Sequence, residues 1–347
     1  MTLLTFSRDA EPPEDWRNFA AAHGTFYHRP EWVRCIRDIY RYPIECYSAR
    51  KAGELQGFVA VAEVPALLGP RRLVSLPFSY AAGPLAQSTE VALALGAEVR
   101  ERAIERNIRR VEMKSRGEYP PAPGFQRTSH YATYEVPANG GESAVWDRLH
   151  PSSTQRSVKK AQKLGVVVRR GDSVEDWITM AELEERTAHG HGLPAPPRHF
   201  FVEGCRWLQG LGLADVYLAF TSTGARAAAI TVWKGPRSWI YAFGASDPQY
   251  LEQRPNHLLL WTAIQDAIGA GCSFDMGRAA PEQEGLVEFK RRWGGQALPL
   301  TYDYWPAPAG LNVAPRDRGS MAVMGAVWSR LPARVARLGA GLYRYLG

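Results

Sequence analysis

The segment from Cys272 to Gly295 concentrates residues that can support the transfer of an acyl group to an amine. In it we predict a short strand, Cys272–Met276, that is followed by a cationic loop flanked by aromatic residues. Such a transfer needs a neutral amine, two substrates held close together and a stabilised oxyanion. Lys290 can supply positive charge to the oxyanion, and Asp275 can accept a proton from the amine or orient it. Arg278 and Arg291 can bind phosphate groups. We therefore predict Lys290 and Asp275 as catalytic residues and the two arginines as substrate-binding residues.

Asp275 also has a structural interpretation, because carboxylates that cap a turn or join a salt bridge are common. The chain contains no Walker loop, no GxGxxG after a strand, and no HExxH, GxSxG or SxxK motif. His189, His191 and His199 have no cysteine or acidic companion at a fixed spacing, so we expect no metal site. No covalent nucleophile stands out, and direct group transfer therefore fits better than covalent catalysis.

The net charge of +7 is unevenly distributed along the chain. Residues 306–347 contain six arginines and one aspartate, a balance of +5. A second basic run without any acid comprises Arg156, Lys159, Lys160, Lys163, Arg169 and Arg170. Such clusters suit phosphate-bearing partners, which include RNA, a lipid headgroup and a pyrophosphate-linked precursor. The other interpretation, a solvated helix face, stays open for each run.

The cysteines and the hydropathy pattern indicate the cellular compartment of the protein. The cysteines are isolated, without a CxxC pair, at positions 35, 46, 205 and 272. Reduced, buried thiols are typical of a cytoplasmic protein. The amino terminus has too short an apolar run for a secretory signal, and no run approaches the ~18 apolar residues of a membrane-spanning helix. We expect a cytoplasmic protein whose contact with a membrane, if any, is peripheral at its inner face.

The elements that must position these residues occur twice in the same order. In each half, hydrophobic periodicity predicts a hairpin, a strand, a helix and a further strand, in this order. This order indicates two units of the α/β (α+β) class, and each unit is expected to be a mixed sheet flanked by helices. The first half comprises the predicted strands Ile44–Ala49, Gly57–Val64 and Leu73–Ser79, the helix Thr89–Glu105 and the strand Arg110–Lys114. The second half comprises the strands Ala214–Thr221, Ala227–Lys234 and Trp239–Phe243, the helix Leu258–Ile268 and the strand Cys272–Met276.

Two further segments complete the predicted organisation. Between the halves, Pro151–Thr154 supplies a helix N-cap, and we predict a helix from Gln155 to Leu164 that ends at Gly165. From Met321 onward, apolar residues recur at alternating spacings of three and four, which predicts a basic amphipathic helix. This helix fits an anionic membrane surface through residues 321–346, a partner protein, or its own domain. We predict domains at 1–141 and 142–305 and a tail at 306–347.

Five motifs, in order along nearly the whole chain, resemble those of Fem-like proteins, which are tandem-GNAT acyl and aminoacyl transferases. They are FYHRPEWVRCI from Phe26, PFSYAAGPLA from Pro77, QRSVKKAQKLGV from Gln155, FDMGR from Phe274 and EFKRRWGG from Glu288. The resemblance implies two tandem GNAT folds with Lys290 at the catalytic cleft. It also implies substrate contacts, which we assign to Tyr80, Arg156, Lys160, Tyr241 and Trp293.

The resemblance implies that the acyl donor is either an aminoacyl-tRNA or an acyl-CoA. We expect no tightly bound cofactor. The segment from Glu252 to His257 lacks the glycine-rich turn on which ordinary GNAT enzymes bind coenzyme A, which favours a tRNA donor. The tail resembles the envelope-polysaccharide-associated subgroup, which favours an acyl-CoA donor. The implied acceptor is a lipid- or nucleotide-linked amine of a peptidoglycan or exopolysaccharide precursor. A non-catalytic module that docks to the membrane surface is the alternative function.

Overall fold

The computed structural model describes residues 3–66, 70–306 and 339–345. Within them the chain forms two compact units. The first unit contains residues 3–66, 70–132, 298–306 and 344–345, and the second contains residues 133–297 and 339–343. The chain thus passes into the second unit at Thr133, whereas the sequence analysis placed that boundary after residue 141.

The first unit is a mixed sheet with helices packed on it. Its sheet follows the order β1-β2-β3-β4-β6-β13, with the first part of β7 beside β13 and β5 paired with β3. Its elements are β1 (Leu4–Asp9), α1 (Trp16–His23), α2 (Pro30–Tyr40), β2 (Ile44–Lys51), β3 (Glu54–Val64), β4 (Arg72–Val74), β5 (Leu85–Ala86), α3 (Thr89–Glu105), β6 (Val111–Ser115), β7 (Gln126–Val136) and β13 (Gln296–Trp305).

Helix α3 shows how this unit forms its core. The Ser88 hydroxyl accepts a hydrogen bond from the backbone N–H of Val91 and caps the helix, so the helix begins where the sequence predicts. Val91, Leu95 and Val99 recur at helical spacing and are buried against apolar residues of β2, β3, β4 and β6. Because α3 connects β4 to β6, these two strands run parallel.

The second unit repeats this arrangement. Its sheet follows the order β12-β11-β10-β9-β8, and the end of β7 from Thr133 lies beside β12. Its elements are α4 (Gly141–Arg148), α5 (Arg156–Lys163), β8 (Val167–Gly171), α6 (Val174–Gly190), α7 (Arg206–Gly210), β9 (Ala214–Phe220), β10 (Arg226–Lys234), β11 (Ser238–Ser246), α8 (Pro255–Gly269), β12 (Ser273–Ala279) and α9 (Glu284–Arg292). Helix α8 connects the parallel strands β11 and β12, as α3 connects β4 and β6.

Three predictions about local structure differ from what is observed. The segment that carries Lys290 is not a loop but the helix α9. Residues Pro151–Gln155 form a turn of π-helix instead of a hydroxyl N-cap, and α5 begins only at Arg156. Most of the predicted amphipathic tail lies outside the described residues, and its described part, Gly339–Tyr345, is 3₁₀-helical.

Candidate active site

The parallel strands β11 and β12 pair over only a short stretch. Their register joins Ser238–Ile240 to Ser273–Asp275. Both strands lie wholly within the described residues, and beyond these pairs β11 continues to Ser246 and β12 to Ala279 without pairing to each other. We call the region between the unpaired ends of the two strands the β11–β12 gap. At its start Gly277 still lies close to β11, since a Cβ there would be 3.4 Å from the carbonyl oxygen of Tyr241. Further along, β12 no longer pairs with the edge of β11.

Lys290 reaches this gap from α9. Its side chain is 4% exposed, and its ammonium donates hydrogen bonds to the carbonyl oxygens of Gly277 at 2.6 Å and Arg278 at 2.8 Å. The same ammonium lies 5.7 Å from the centre of the Tyr134 ring. Because an ammonium has three donors, one N–H remains beyond these two bonds.

Burial changes the acidity of this lysine. Desolvation lowers the pKa of Lys290 to about 8 from an ordinary value of 10.5, Asp275 acts in the opposite direction, and Arg278 adds to the lowering. A lysine with this pKa is mostly charged at neutral pH but loses its proton readily in mild alkali. It can therefore contribute positive charge at the start of the gap.

Asp275 is fully buried at the last paired position of β12. Its Oδ1 atom accepts hydrogen bonds from the hydroxyl of Thr133 and from the backbone N–H of Gly277, the latter at 2.8 Å. Gly277 has a φ of +80°, which favours glycine. Asp275 and Lys290 thus hold the same turn, one through an N–H and the other through two carbonyls. These contacts support an orienting carboxylate more than a proton acceptor.

Tyr241 is the first residue of β11 after the paired stretch. A Cβ on Gly244 would lie 1.7 Å from the hydroxyl oxygen of Tyr241, so the phenol group lies directly over that glycine. The register of β10 and β11 shifts between Thr231 and Val232, which is typical of a β-bulge and redirects the side chains that follow. Burial, and secondarily the carboxyl of Glu184, raise the pKa of Tyr241, so the phenol stays protonated.

Glu184, which was not predicted from the sequence, interacts electrostatically with Tyr241. It lies on α6, a helix that packs against β10 and β11. Burial raises the pKa of its carboxyl to about 7 from an ordinary value of 4.5. A signal was present in the sequence, because Trp177, Ala181 and Ala188 form a buried stripe at helical spacing and Glu184 occupies the same stripe.

Comparison with known proteins identifies the domain type. The family model described as "Acetyltransferase (GNAT) domain" matches residues 152–291, all of which lie in the second unit. Among solved structures, the chain is similar to FemX, with a TM-score of 0.67 and 15% identity, over 86% of this chain and 96% of FemX. No curated protein sequence matches the chain.

Two other solved structures cover most of the chain. A tandem GNAT protein from the clavulanic acid biosynthesis pathway superimposes with a TM-score of 0.51 and 12% identity, over 88% of this chain and 100% of that protein. The C-terminal domain of a putative lysylphosphatidylglycerol synthetase from Agrobacterium fabrum superimposes with a TM-score of 0.56 and 12% identity, over 90% of this chain and 95% of that domain.

The fold is that of tandem GNAT proteins, with two GNAT-like units, the second of which matches the GNAT domain model. This confirms the predicted fold class, a mixed α/β architecture in two units. At these identities the structural likeness concerns the fold alone. Within the part of the chain that the structure describes, no helix combines the length and the hydropathy needed to cross a membrane.

The four predicted cationic substrate contacts are all exposed on the surface of the second unit. Arg156 and Lys160 are exposed on α5, and the ammonium of Lys160 lies 3.6 Å from a carboxylate oxygen of Glu252, beside the start of α8. Arg291 is exposed on α9. Arg278 is exposed at the end of β12, and its carbonyl accepts the hydrogen bond from Lys290.

Trp293 was predicted to contact substrate, but the structure buries it completely. Its ring packs 5.9 Å from His257 and 6.2 Å from Phe289, between α8 and α9. Burial lowers the pKa of His257 to about 4, with a smaller contribution from Arg254, so this histidine is neutral at physiological pH. Trp293 therefore belongs to the packing that holds α9 and its lysine in place.

Tyr80 belongs to the first GNAT domain. It is half-buried, and its ring meets that of Tyr27 edge-on at 5.0 Å. The neighbouring Ser79 hydroxyl accepts a hydrogen bond from the indole of Trp32 at 2.8 Å. The two predicted motifs of this domain, FYHRPEWVRCI and PFSYAAGPLA, therefore contact each other, and Tyr80 lies where they meet.

A metal site was not expected. Among the described residues, no group of three or more histidine, cysteine, aspartate or glutamate side chains is placed to hold a metal ion. All four cysteines are buried free thiols.

Proposed function

We propose that this protein is an N-acyl or N-aminoacyl transferase of the Fem-like branch that acts on an amino group of a cell-envelope precursor. The observation that carries the proposal is the gap between β11 and β12, which begins beside Asp275 and is occupied at its start by the Lys290 ammonium. The match of residues 152–291 to the GNAT domain model supports an acyl-transferring reaction there.

The gap suits an extended acyl donor. A strand edge without a partner offers backbone N–H and C=O groups, and a donor arm that carries amides can pair with them as a further strand would. The acyl carbonyl would then lie near the start of the gap, where Tyr241 and Lys290 are positioned. Holding the carbonyl beside the amine removes much of the entropic cost of the reaction.

Lys290 and Tyr241 can stabilise the oxyanion that develops on the carbonyl. The buried ammonium places a positive charge at a site with little water, where its field is strong. The protonated phenol of Tyr241 can donate a hydrogen bond. Neither group needs to form a covalent bond with the substrate, so the amine can attack the donor directly.

The donor itself is an aminoacyl-tRNA or an acyl-CoA. Arg156 and Lys160 place two cations on α5 close to the start of α8, and both donors carry phosphates that such cations bind. Helix α8 begins at Pro255, which has no N–H to offer a pyrophosphate, and Glu252 adds a negative charge nearby. We therefore favour the tRNA donor, with acetyl-CoA-dependent N-acetylation in polysaccharide biosynthesis as the second candidate.

The first test compares transfer by the wild-type protein and by Lys290→Met, which keeps the volume of the side chain. Donors are acetyl-CoA and a charged tRNA minihelix, and acceptors are a UDP-linked muropeptide and an amino-sugar nucleotide. We expect transfer in one donor–acceptor pair and a loss of at least about 100-fold in Lys290→Met, because a buried charge that stabilises an oxyanion contributes about this much.

Lys51→Ala is the matched control, since Lys51 is an exposed lysine in the β2–β3 hairpin of the other domain. It should retain full activity, and thermal melting of each variant reports whether the fold is kept. Transfer at the wild-type rate by a folded Lys290→Met protein would contradict the assignment of Lys290. Transfer from acetyl-CoA alone would select the second candidate.

A further inference from the structure

Glu184 occupies a position at which α6 would ordinarily carry an apolar residue. Trp177 and Ala181 precede it on the buried stripe of the helix and Ala188 follows it, at spacings of seven, three and four residues. The residue as a whole is half-buried, and burial around its carboxyl raises the pKa of that group. A carboxyl in such surroundings loses stability when it is charged.

The charged and titratable groups around Glu184 are few. On β11 the group that interacts with it is Tyr241, whose own hydroxyl lies over Gly244. The nearest charged neighbours on α6 pair away from it, since Glu182 lies 3.5 Å from Arg198 and Arg186 lies 2.8 Å from Asp247. Further titratable residues lie on α6 beyond position 181 or on the elements that pack against this helix. They are Glu185, His189, Glu203, Cys205, Asp215, Tyr217, Arg226 and Lys234.

Several of these residues are engaged elsewhere. Tyr217 donates a hydrogen bond to Asp266 of α8, and Asp215 lies 3.1 Å from the ammonium of Lys234. Glu203 is exposed. Burial is the cause of the raised pKa of Glu184, and no cation contributes to it. This carboxyl therefore exchanges its proton near neutral pH, the range in which an amine substrate must be deprotonated.

We propose that Glu184 is a catalytic residue, the general base that takes a proton from the acceptor ammonium in the cleft of the second GNAT domain. Three observations support this placement: its position on the inner stripe of α6, the packing of α6 against β11, and the electrostatic interaction of its carboxyl with Tyr241 of that strand. This role rests on the acyltransferase function proposed above. Asp275, the other candidate, is fully buried and accepts two hydrogen bonds through one oxygen.

The ammonium of the acceptor transfers one proton to the Glu184 carboxylate and becomes a neutral amine. The amine nitrogen attacks the donor carbonyl, a C–N bond forms, and the bond from the carbonyl carbon to the leaving oxygen or sulfur breaks. The second proton of the nitrogen passes to that leaving atom, and Glu184 releases its proton to solvent before the next turnover.

The test uses the full-length protein and two variants, Glu184→Gln and Glu182→Gln. The second is a matched control, because it removes a carboxyl from the same helix two residues away, where it pairs with Arg198. Carboxyl carbons labelled with ¹³C are followed by NMR as a function of pH. We expect one glutamate that titrates near neutral pH, which is absent in Glu184→Gln and present in Glu182→Gln. A Glu184 signal that titrates with the other glutamates would overturn the proposal.

The second measurement is the pH profile of kcat/KM for the donor and acceptor that the wild-type protein uses among the four substrates named above. Since a base must be deprotonated, the wild-type rate should fall as the pH drops below about 7. In Glu184→Gln, kcat/KM at neutral pH should be lower by about 100-fold or more, and the fall of the rate at acid pH should disappear. Glu182→Gln should keep the wild-type kcat/KM and the wild-type fall at acid pH. Equal profiles for wild type and Glu184→Gln would overturn the role of Glu184 and leave the transferase function intact.

Failure of the proposed function has a different signature. If the wild-type protein transfers nothing from either donor to either acceptor at any pH, the transferase assignment fails and the catalytic role of Glu184 fails with it. The NMR titration then still shows whether the carboxyl is perturbed. Melting curves of the two glutamine variants distinguish lost catalysis from lost folding, because glutamine has the size and shape of glutamate.

Discussion

At the scale of single residues, burial has the same effect on two groups of opposite charge. Desolvation lowers the pKa of Lys290 to about 8 and raises that of Glu184 to about 7, so each group is shifted toward its neutral form. Lys290 retains two hydrogen bonds to carbonyl oxygens, which favour its charged form. The second unit thus contains a buried cation and a weakly acidic carboxyl, each with a pKa close to neutrality.

The raised pKa of Glu184 predicts how stability depends on pH. Between pH 4.5 and pH 7 the folded state binds more protons than the unfolded state. The contribution of this carboxyl to the free energy of unfolding is therefore present below pH 4.5 and is lost as the pH rises through 7. We expect Glu184→Gln to be more stable than wild type at about pH 8, by at most ~3 kcal/mol, and to show little difference at about pH 4.

Urea unfolding of both proteins at the two pH values measures this difference. Glu182→Gln is again the control, and it should show no such gain at the higher pH. A Glu184→Gln protein that is no more stable than wild type at about pH 8 would mean that the carboxyl is well solvated in the folded state.

At the scale of elements, the start of α6 determines where Glu184 lies. Ser173 and Asp176 form a capping box, and the carboxylate of Asp176 also accepts two hydrogen bonds from Arg169 of β8, at 2.6 and 3.0 Å. Burial raises the pKa of Asp176, but the hydrogen bonds from Arg169 and from the backbones of Ser173 and Asp172 outweigh it and bring the pKa to about 2. This carboxylate therefore connects the helix to the sheet.

Asp176→Asn should destabilise the protein at neutral pH by about 2 kcal/mol, because it removes the charge that Arg169 and the helix N-terminus stabilise. The folded-state pKa of Asp176 is depressed, so its contribution is present above pH 3.8 and is lost as the pH falls through about 2. Chemical denaturation at about pH 7 and pH 2.5 measures both values. A difference between wild type and variant that does not shrink in acid would contradict the assignment of this stabilisation to the charge.

At the scale of the whole molecule, the chain repeats one arrangement twice and then adds a basic tail. Each unit has one parallel strand pair joined by a helix, β4–α3–β6 and β11–α8–β12. Arg344, in the described part of the tail, belongs to the first unit, where the hydroxyl of Tyr42 donates to the Arg344 carbonyl and the Arg344 guanidinium lies 5.8 Å from the Tyr42 ring. The predicted membrane-binding residues lie mostly outside the described part.

We predict that the tail binds anionic membranes through its arginines. The variant that replaces Arg330, Arg334 and Arg337 by alanine keeps the chain length and the Tyr42 contact. It should bind vesicles that contain phosphatidylglycerol about 100-fold more weakly than wild type does, since each basic residue near such a surface contributes about 1 kcal/mol. Co-sedimentation with these vesicles, and with neutral phosphatidylcholine vesicles as control, measures the loss.

The same variant should retain transfer activity. Transfer without vesicle binding would mean that the tail anchors an active enzyme and that the protein is not only a scaffold. Removal of residues 322–347 should likewise release the protein from vesicles, although it also removes the contact with Tyr42. Unchanged binding by the triple arginine variant would contradict the membrane role of the tail. A protein that binds vesicles but transfers no acyl group under any condition would instead favour a non-catalytic docking module.

The sequence by itself determined the order of elements and the bounds of several of them. Helix α3 begins and ends at the predicted residues because its cap at Ser88 and its apolar spacing are local signals. Helix α9 was mistaken for a loop because its cationic run hides the short apolar face that Val287 provides. The π-helical turn before α5 depends on contacts with a distant segment, in which His150 and Thr154 donate to the carbonyl of Arg292, so no local pattern predicts it.

Only the tertiary structure decided which charged groups share the cleft. Lys290 was predicted from its motif, but its two carbonyl partners and its burial come from the packing of α9 on the end of β12. The apolar spacing of α6 places Glu184 on the inner stripe of the helix, but its desolvation arises only because β10 and β11 pack against that helix. Caps and apolar spacing act over a few residues, whereas desolvation depends on every segment that packs nearby. Distant parts of the chain therefore set the acidity of a side chain.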